Sequence, residues 1–219
     1  MSESLVARYT RREEYANIAT HALGVALSIA ALVVMVVYAA RHGDPFHIVS
    51  VSIFGATLIL LYLGSTLYHS VTDPKTKHIF RLVDHSCIYL LIAGSYTPFT
   101  LVSLRGNWGW TLFGVTWGLA LAGIVFKIFF AKRFSLLATL TYIGLGWLVV
   151  VAAVPVINNV PTGGLALLAG GGFMYTFGVI FYLWERIPYH HAIWHVMVMA
   201  GSFLHFLAVY YFVLPPLTA

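Results

Sequence analysis

The sequence predicts an all-α membrane protein, a bundle of seven transmembrane helices with its N-terminus in the cytoplasm and its C-terminus outside. Three observations predict it. Of the 219 residues, 60% are hydrophobic and 9% charged, with a mean hydropathy of +0.88, whereas soluble domains carry about 25% charged residues. Seven apolar stretches are each long enough to cross a hydrocarbon core that takes about 20 residues of helix. The basic residues collect on alternate loops, as the positive-inside rule requires. A water-soluble fold of this size cannot hide so much apolar surface, so lipid is the solvent for most of the chain.

The stretches are Ile18–Tyr38, Ile48–Tyr68, Leu82–Val102, Trp108–Phe126, Phe134–Val156, Leu165–Leu183 and Ile193–Leu214. Between them stand His42-Gly43-Asp44-Pro45, Thr72-Asp73-Pro74-Lys75, Arg105-Gly106-Asn107, Lys132-Arg133, Asn158 to Gly164 and Glu185-Arg186-Ile187-Pro188. Gly and Pro mark turns there, and loops this short make neighbouring helices antiparallel. The expected organisation is a short cytoplasmic segment over 1–17, one transmembrane domain over 18–214 and an external tail over 215–219, in the plasma (inner) membrane. Arg8, Arg11 and Arg12 before an apolar run resemble a signal peptide, but the run is too long for an h-region and six more follow, so it reads as an uncleaved first helix.

With the N-terminus inside, the cytoplasmic face holds Arg8, Arg11, Arg12, Lys75, Lys77, Arg81, Lys127, Lys132, Arg133 and Arg186, against Arg41 and Arg105 opposite. That bias orients the bundle. The net charge of +5 sits on membrane-flanking loops facing anionic lipid, which excludes nucleic acid as a partner and leaves membrane lipids. A single cysteine, Cys87, excludes an internal disulfide; one turn after Asp84, it reads either as a soft metal ligand or, more often at such a place, as a small buried hydrophobe. Gly118 to Gly123, Gly144-x-Gly146 and Gly170-Gly171-Gly172 read as close helix packing.

Against this apolar background, one carboxylate, Asp84, lies inside a membrane segment, in the expected first turn of the third helix. Taken alone it reads as an interfacial acid at a helix N-terminus, beside Arg81. Ser65 and His69 are four apart near the end of the second segment, on one face, and His191 and His195 have the same spacing at the start of the seventh. A lone histidine there is more often an interfacial side chain. The topology, however, brings His69, Asp84, His191 and His195 to one depth from three helices. Three imidazoles with an acid or a water satisfy tetrahedral zinc and suit it better than magnesium or calcium. Glu14, Asn17 and His21 open the first helix at the same level, either as helix-entry chemistry or as partners that orient metal ligands. His205, ten residues beyond His195, lies about 15 Å further along its helix and cannot share an ion with it. His190, His85, His78, His47 and His42 read as interfacial or loop residues.

Glu14-x-x-Asn17-x-x-Thr20-His21, Ser65-Thr66-Leu67-Tyr68-His69 followed by Asp84, Leu90-Leu91-Ile92-Ala93-Gly94-Ser95-Tyr96-Thr97-Pro98, Arg186-Ile187-Pro188 and His191-Ala192-Ile193-Trp194-His195 occur in that order. The ordered set resembles the hemolysin III proteins and the wider progestin and adipoQ receptor family, which includes the adiponectin receptors. The resemblance covers nearly the whole chain. It implies a seven-helix bundle with a cytoplasmic N-terminus and zinc held by His69, His191 and His195, with Ser65 and Asp84 around the metal-bound water. It further implies a lipid substrate, since adiponectin receptors and the related alkaline ceramidases are associated with ceramide amide hydrolysis. The long soluble extension of the animal receptors is not in this sequence, so a hormone-receptor role does not carry over.

In that reading the ion lowers the pKa of its water to about 7. Asp84 serves as general base, while zinc and Ser65 stabilise the oxyanion of an amide carbonyl. Two other readings compete. A non-catalytic zinc could staple helices in a protein that senses or maintains membrane state. A cytolytic membrane protein is the third, disfavoured by the lack of a polar stripe able to line a wide pore.

Overall fold

The computed structural model describes residues 9–130 and 135–216. The expected Lys132-Arg133 loop, the first eight residues with Arg8, and the last three residues fall outside that range. Among the described residues there are helices and no strands. The helices are α1 Arg11–His42, α2 Pro45–Ser70, α3 Pro74–Pro98, α4 Asn107–Phe130, α5 Ser135–Gly146, α6 Ala153–Asn159, α7 Thr162–Leu183 and α8 His190–Phe212. A π-helical turn, Phe99–Ser103, prolongs α3, and a 3₁₀ turn, Leu148–Ala152, joins α5 to α6 into one crossing. The result is seven helical crossings, as the apolar stretches predict.

The helices outrun those stretches at their polar ends, because the caps lie in the loops. Thr10 and Glu13 form a capping box at the start of α1, satisfying donors that a helix start leaves free. Asp44 and Asp73 cap α2 and α3, each followed by a proline at the first helical position, where its fixed φ and missing N–H cost nothing. The Asp44 carboxyl is held well below the usual range: partial burial alone would raise it, but the His47 backbone N–H, the His47 ring and the Arg105 guanidinium outweigh that. Because α3 begins at Pro74, Asp84 stands in its third turn rather than its first. The helix-end reading of Asp84 is therefore withdrawn, and no Arg81–Asp84 ion pair occurs among the described residues.

The fifth crossing is broken, where periodicity predicts a continuous helix over Phe134–Val156. Pro155 offers no N–H and its ring crowds the carbonyl four residues back, at Val151. The helix gives way one turn earlier, at the 3₁₀ turn Leu148–Ala152, and backbone groups left free at that break find a partner on α3. The Tyr96 hydroxyl donates to the carbonyls of Gly146 (2.7 Å) and Leu145 (3.1 Å) and accepts the Val149 N–H at 2.9 Å. At membrane depth such compensation is obligatory, since no water is there to serve.

Helix α1 packs against α2 and α8, α2 against α3, α3 against α4, and α7 against α8. Phe54, Met35, Val51 and Val209 are fully buried at the centre, while Val151 and Phe129 are over 70% exposed and face lipid. Of the small-residue positions, Gly123 and Gly171 lie so close to Tyr89 and His205 that any Cβ would collide, whereas Gly118, Gly144 and Gly146 have open space. Gly170 and Gly172 stand in ordinary contact with Leu204 and Trp147, so the packing reading holds for Gly123 and the Gly170–Gly172 run and fails at Gly118, Gly144 and Gly146.

Candidate metal centre

Two segments deliver three imidazoles to one point. His69 sits in the last turn of α2, and His191 and His195 stand one turn apart at the start of α8. One nitrogen from each lies within 4.8 Å of the others, and all three rings are buried, His195 to 1% exposure. Among the described residues this is the one group of three or more His, Cys, Asp or Glu that could hold a metal ion.

The hydrogen bonds assign the tautomers of two rings. His69 Nδ1 is 2.6 Å from Glu14 Oε2, so its N–H donates to the carboxylate, whose other oxygen accepts from Lys77 Nζ at 2.7 Å. That leaves His69 Nε2, which has no partner, with its lone pair toward the cluster. Thr20 Oγ already donates to the carbonyls of Ala16 and Asn17, both at 2.9 Å. It must therefore accept from His195 Nδ1–H at 3.1 Å, again freeing Nε2. Carboxylate and hydroxyl partners of this kind orient metal-bound imidazoles and raise their basicity. Both His191 nitrogens lack a partner. Buried polar atoms without partners cost about 1–3 kcal/mol each, and here the orphans converge on one point. The donor set fits a cation.

The helix-1 cluster divides. Glu14 orients His69 directly. Asn17 is fully buried, with its Nδ2 3.4 Å from His69 Nδ1; the closer Glu14 takes the proton, so Asn17 contributes packing there. His21 lies stacked on His195, ring centres 3.5 Å apart and planes 15° apart, and meets Tyr62 edge-on. It supports the ligand rather than joining the three.

Asp84 is buried on α3 and borders, with His21, His191 and His195, a cavity of about 390 Å³. Its carboxylate is not among the groups that close to within 4.8 Å. Ser65 is buried on α2, its hydroxyl without a full hydrogen bond and within electrostatic reach of Asp84. α2 and α3 pack side by side here, and a Cβ at Gly64 would meet Val83, Cys87 and the Asp84 backbone only at ordinary van der Waals distance. Beyond this polar end the cavity is walled by apolar side chains such as Leu91, Ile143, Leu168 and Val198. Cys87 lies in the core, as expected. His205 lines the far cavity and stands outside the cluster. His190, expected at the interface, is instead buried, its Nδ1 3.0 Å from the Phe181 carbonyl oxygen.

Comparison with known proteins agrees with this architecture. Residues 9–206 match the model of the family described as haemolysin-III related. The chain belongs to that family. It is 49% identical over 204 residues to "Hemolysin-3" of Bacillus cereus, covering 93% of each chain. It is 52% identical over 204 residues to "Hemolysin-3 homolog" of Bacillus subtilis, covering 93% of this chain and 96% of the relative. The "Monocyte to macrophage differentiation factor" of Homo sapiens is 30% identical over 207 residues, covering 90% and 83%. This haemolysin-III related chain is a multi-pass membrane protein, and its bacterial relatives place it with proteins of the plasma membrane.

Sequence reasoning missed Lys77 as the second partner of Glu14 and Thr20 as the partner of His195. Thr20 carried a usable signal, standing three residues after Asn17 on the face of α1 that turns inward. Nothing local in the sequence pairs Lys77 with Glu14, because the contact joins helices 63 residues apart.

Proposed function

We propose that this protein is a zinc-dependent hydrolase of lipid amides, working at the cytoplasmic leaflet with its N-terminus inside the cell. The observation that carries the reading is the junction of three convergent imidazoles with an apolar cavity, at the point where Asp84 also borders it. His69, His191 and His195 would hold the ion. When bound, zinc supplies Lewis-acid polarisation and an activated water. The apolar walls hold an acyl chain and exclude bulk water, which strengthens every polar interaction at the closed end. Asp84 accepts a proton from the attacking water and returns it to the departing amine nitrogen. Ser65 donates to the oxygen on which negative charge develops.

Purified protein incubated with a membrane lipid extract and read by mass spectrometry is expected to convert an N-acyl lipid into equal amounts of fatty acid and free amine. An unchanged N-acyl fraction would remove the hydrolase reading. A brace would then replace it, and one observation favours that alternative: α2 and α8, which supply all three imidazoles, pack on α1 rather than extensively on each other. An ion there would add a tie between two helices otherwise joined directly by the Tyr62–Ser202 hydrogen bond.

Orientation is tested separately. Reporter fusions are expected to place residue 1 and the Asp73–Lys77 turn in the cytoplasm and residue 219 outside. A cytoplasmic C-terminus would overturn the topology.

A further inference from the structure

Two of the three imidazoles have a hydrogen-bonding partner on the ring nitrogen that faces away from the cluster. His69 has Glu14 and His195 has Thr20. His191 has none, since neither Nδ1 nor Nε2 meets a partner. A metal-binding histidine almost always has such a partner, because without one the ring is free to turn. Something else must hold His191.

The ring of Tyr9 lies against it. The centroids are 5.0 Å apart and the planes 30° apart, an offset stack, a geometry aromatic pairs favour. Tyr9 is 5% exposed although it precedes the first helix, and its ring also lies 5.8 Å from both His69 and His190. Its position is not incidental. Thr10 caps α1, and Glu13 Oε2 accepts from the Thr10 N–H at 2.8 Å and the Thr10 hydroxyl at 2.9 Å. The other oxygen, Glu13 Oε1, accepts the N–H of Tyr189 at 3.1 Å. Tyr189 is the residue before α8, held at φ 57°. One carboxylate therefore starts α1 and ties it to the start of α8, two residues before His191. The residue just outside the cap, Tyr9, is carried across the imidazole.

We infer that Tyr9 is the positioning residue of His191, its stacked ring standing in for the missing hydrogen-bond partner. The inference rests on the metal reading of the cluster and is independent of whether any lipid is cleaved. It assigns to the stretch before α1 a part in the metal centre that the histidine motif does not contain.

The test uses the full chain in lipid nanodiscs, loaded with zinc or with cobalt(II), and an aqueous chelator as the acceptor. Tyr9→Ala is expected to release zinc about tenfold faster than wild type, the lower end of the cost of losing an orienting partner. Tyr9→Phe, which keeps the ring, should release it at the wild-type rate. The cobalt(II) ligand-field spectrum should change in Tyr9→Ala and stay unchanged in Tyr9→Phe, a signature that a general loss of packing would not produce. Tyr9→Leu keeps apolar bulk without the ring, and is expected to follow Tyr9→Ala should the alanine variant fold poorly. Equal release rates across the zinc-loaded series and identical spectra across the cobalt-loaded series would overturn the inference while leaving the metal centre standing. Wild-type protein that binds neither metal would overturn both.

Discussion

Alanine at His69, His191 or His195 is expected to lower zinc affinity by at least about a hundredfold, because even loss of a partner that merely orients a ligand costs about 10–100-fold. Wild-type protein should carry about one zinc per chain, bound through imidazole nitrogen. Each single alanine should reduce that content toward zero under dialysis and lower the melting temperature, since binding energy gained only by the folded state is folding energy. Glu14→Gln supplies an intermediate case. The glutamine keeps the shape of Glu14 but removes the charge that the His69 N–H and Lys77 both contact. Its affinity should fall about 10–100-fold, between wild type and the ligand variants. His205→Ala is the control, since His205 contacts Tyr175 and the Leu168 carbonyl, well away from the three rings. Metal analysis of the purified variants decides the matter. Full zinc in all three alanine variants would place the ion elsewhere.

Asp84→Asn is expected to abolish lipid-amide hydrolysis, by about 10²–10⁴-fold, while zinc content and melting temperature stay near wild type. The size is that of a lost general base. The amide matches the carboxylate in volume but has no basic oxygen to accept a proton at neutral pH. Retention of metal is the informative half. The Asp84 carboxylate lies outside the 4.8 Å group formed by the three imidazoles, so its replacement should leave the ligands in place. If Asp84→Asn released zinc, Asp84 would have to be a ligand itself. If the variant kept metal, fold and hydrolysis together, the base would lie elsewhere. The paired measurement, metal content beside product formation in the same preparation, separates these results.

Much of this protein was determined by its sequence alone. Lipid cannot hydrogen-bond a backbone, so seven apolar stretches of sufficient length had to become helices, and the structure has them at the expected places. His191 and His195 face one way because a helix turns every 3.6 residues, which any reader of the chain can count. The ordered motifs were enough to identify the family. The caps that carry α1 and α2 beyond their hydrophobic windows, Thr10 with Glu13 and Asp44 before Pro45, are also local chemistry, although only the second was marked in the sequence, and only as a turn.

Tertiary structure decided what depends on distances between helices. The pairing of Glu14 with His69 and Lys77 joins α1, α2 and α3, and no periodicity encodes which polar group on one helix meets which on another. Likewise, Asp84 could have been a helix-end acid or a ligand by sequence, and only the packing of α3 against α2 set it at the cavity wall instead. The break in the fifth crossing shows the same division. Pro155 announces trouble in the chain, but the tyrosine that makes the break tolerable, Tyr96, comes from α3. Residues near in sequence are constrained by helical geometry, whereas contacts between helices are chosen by shape complementarity and by the need to satisfy every buried polar atom at once, conditions that exist only when the whole bundle is assembled.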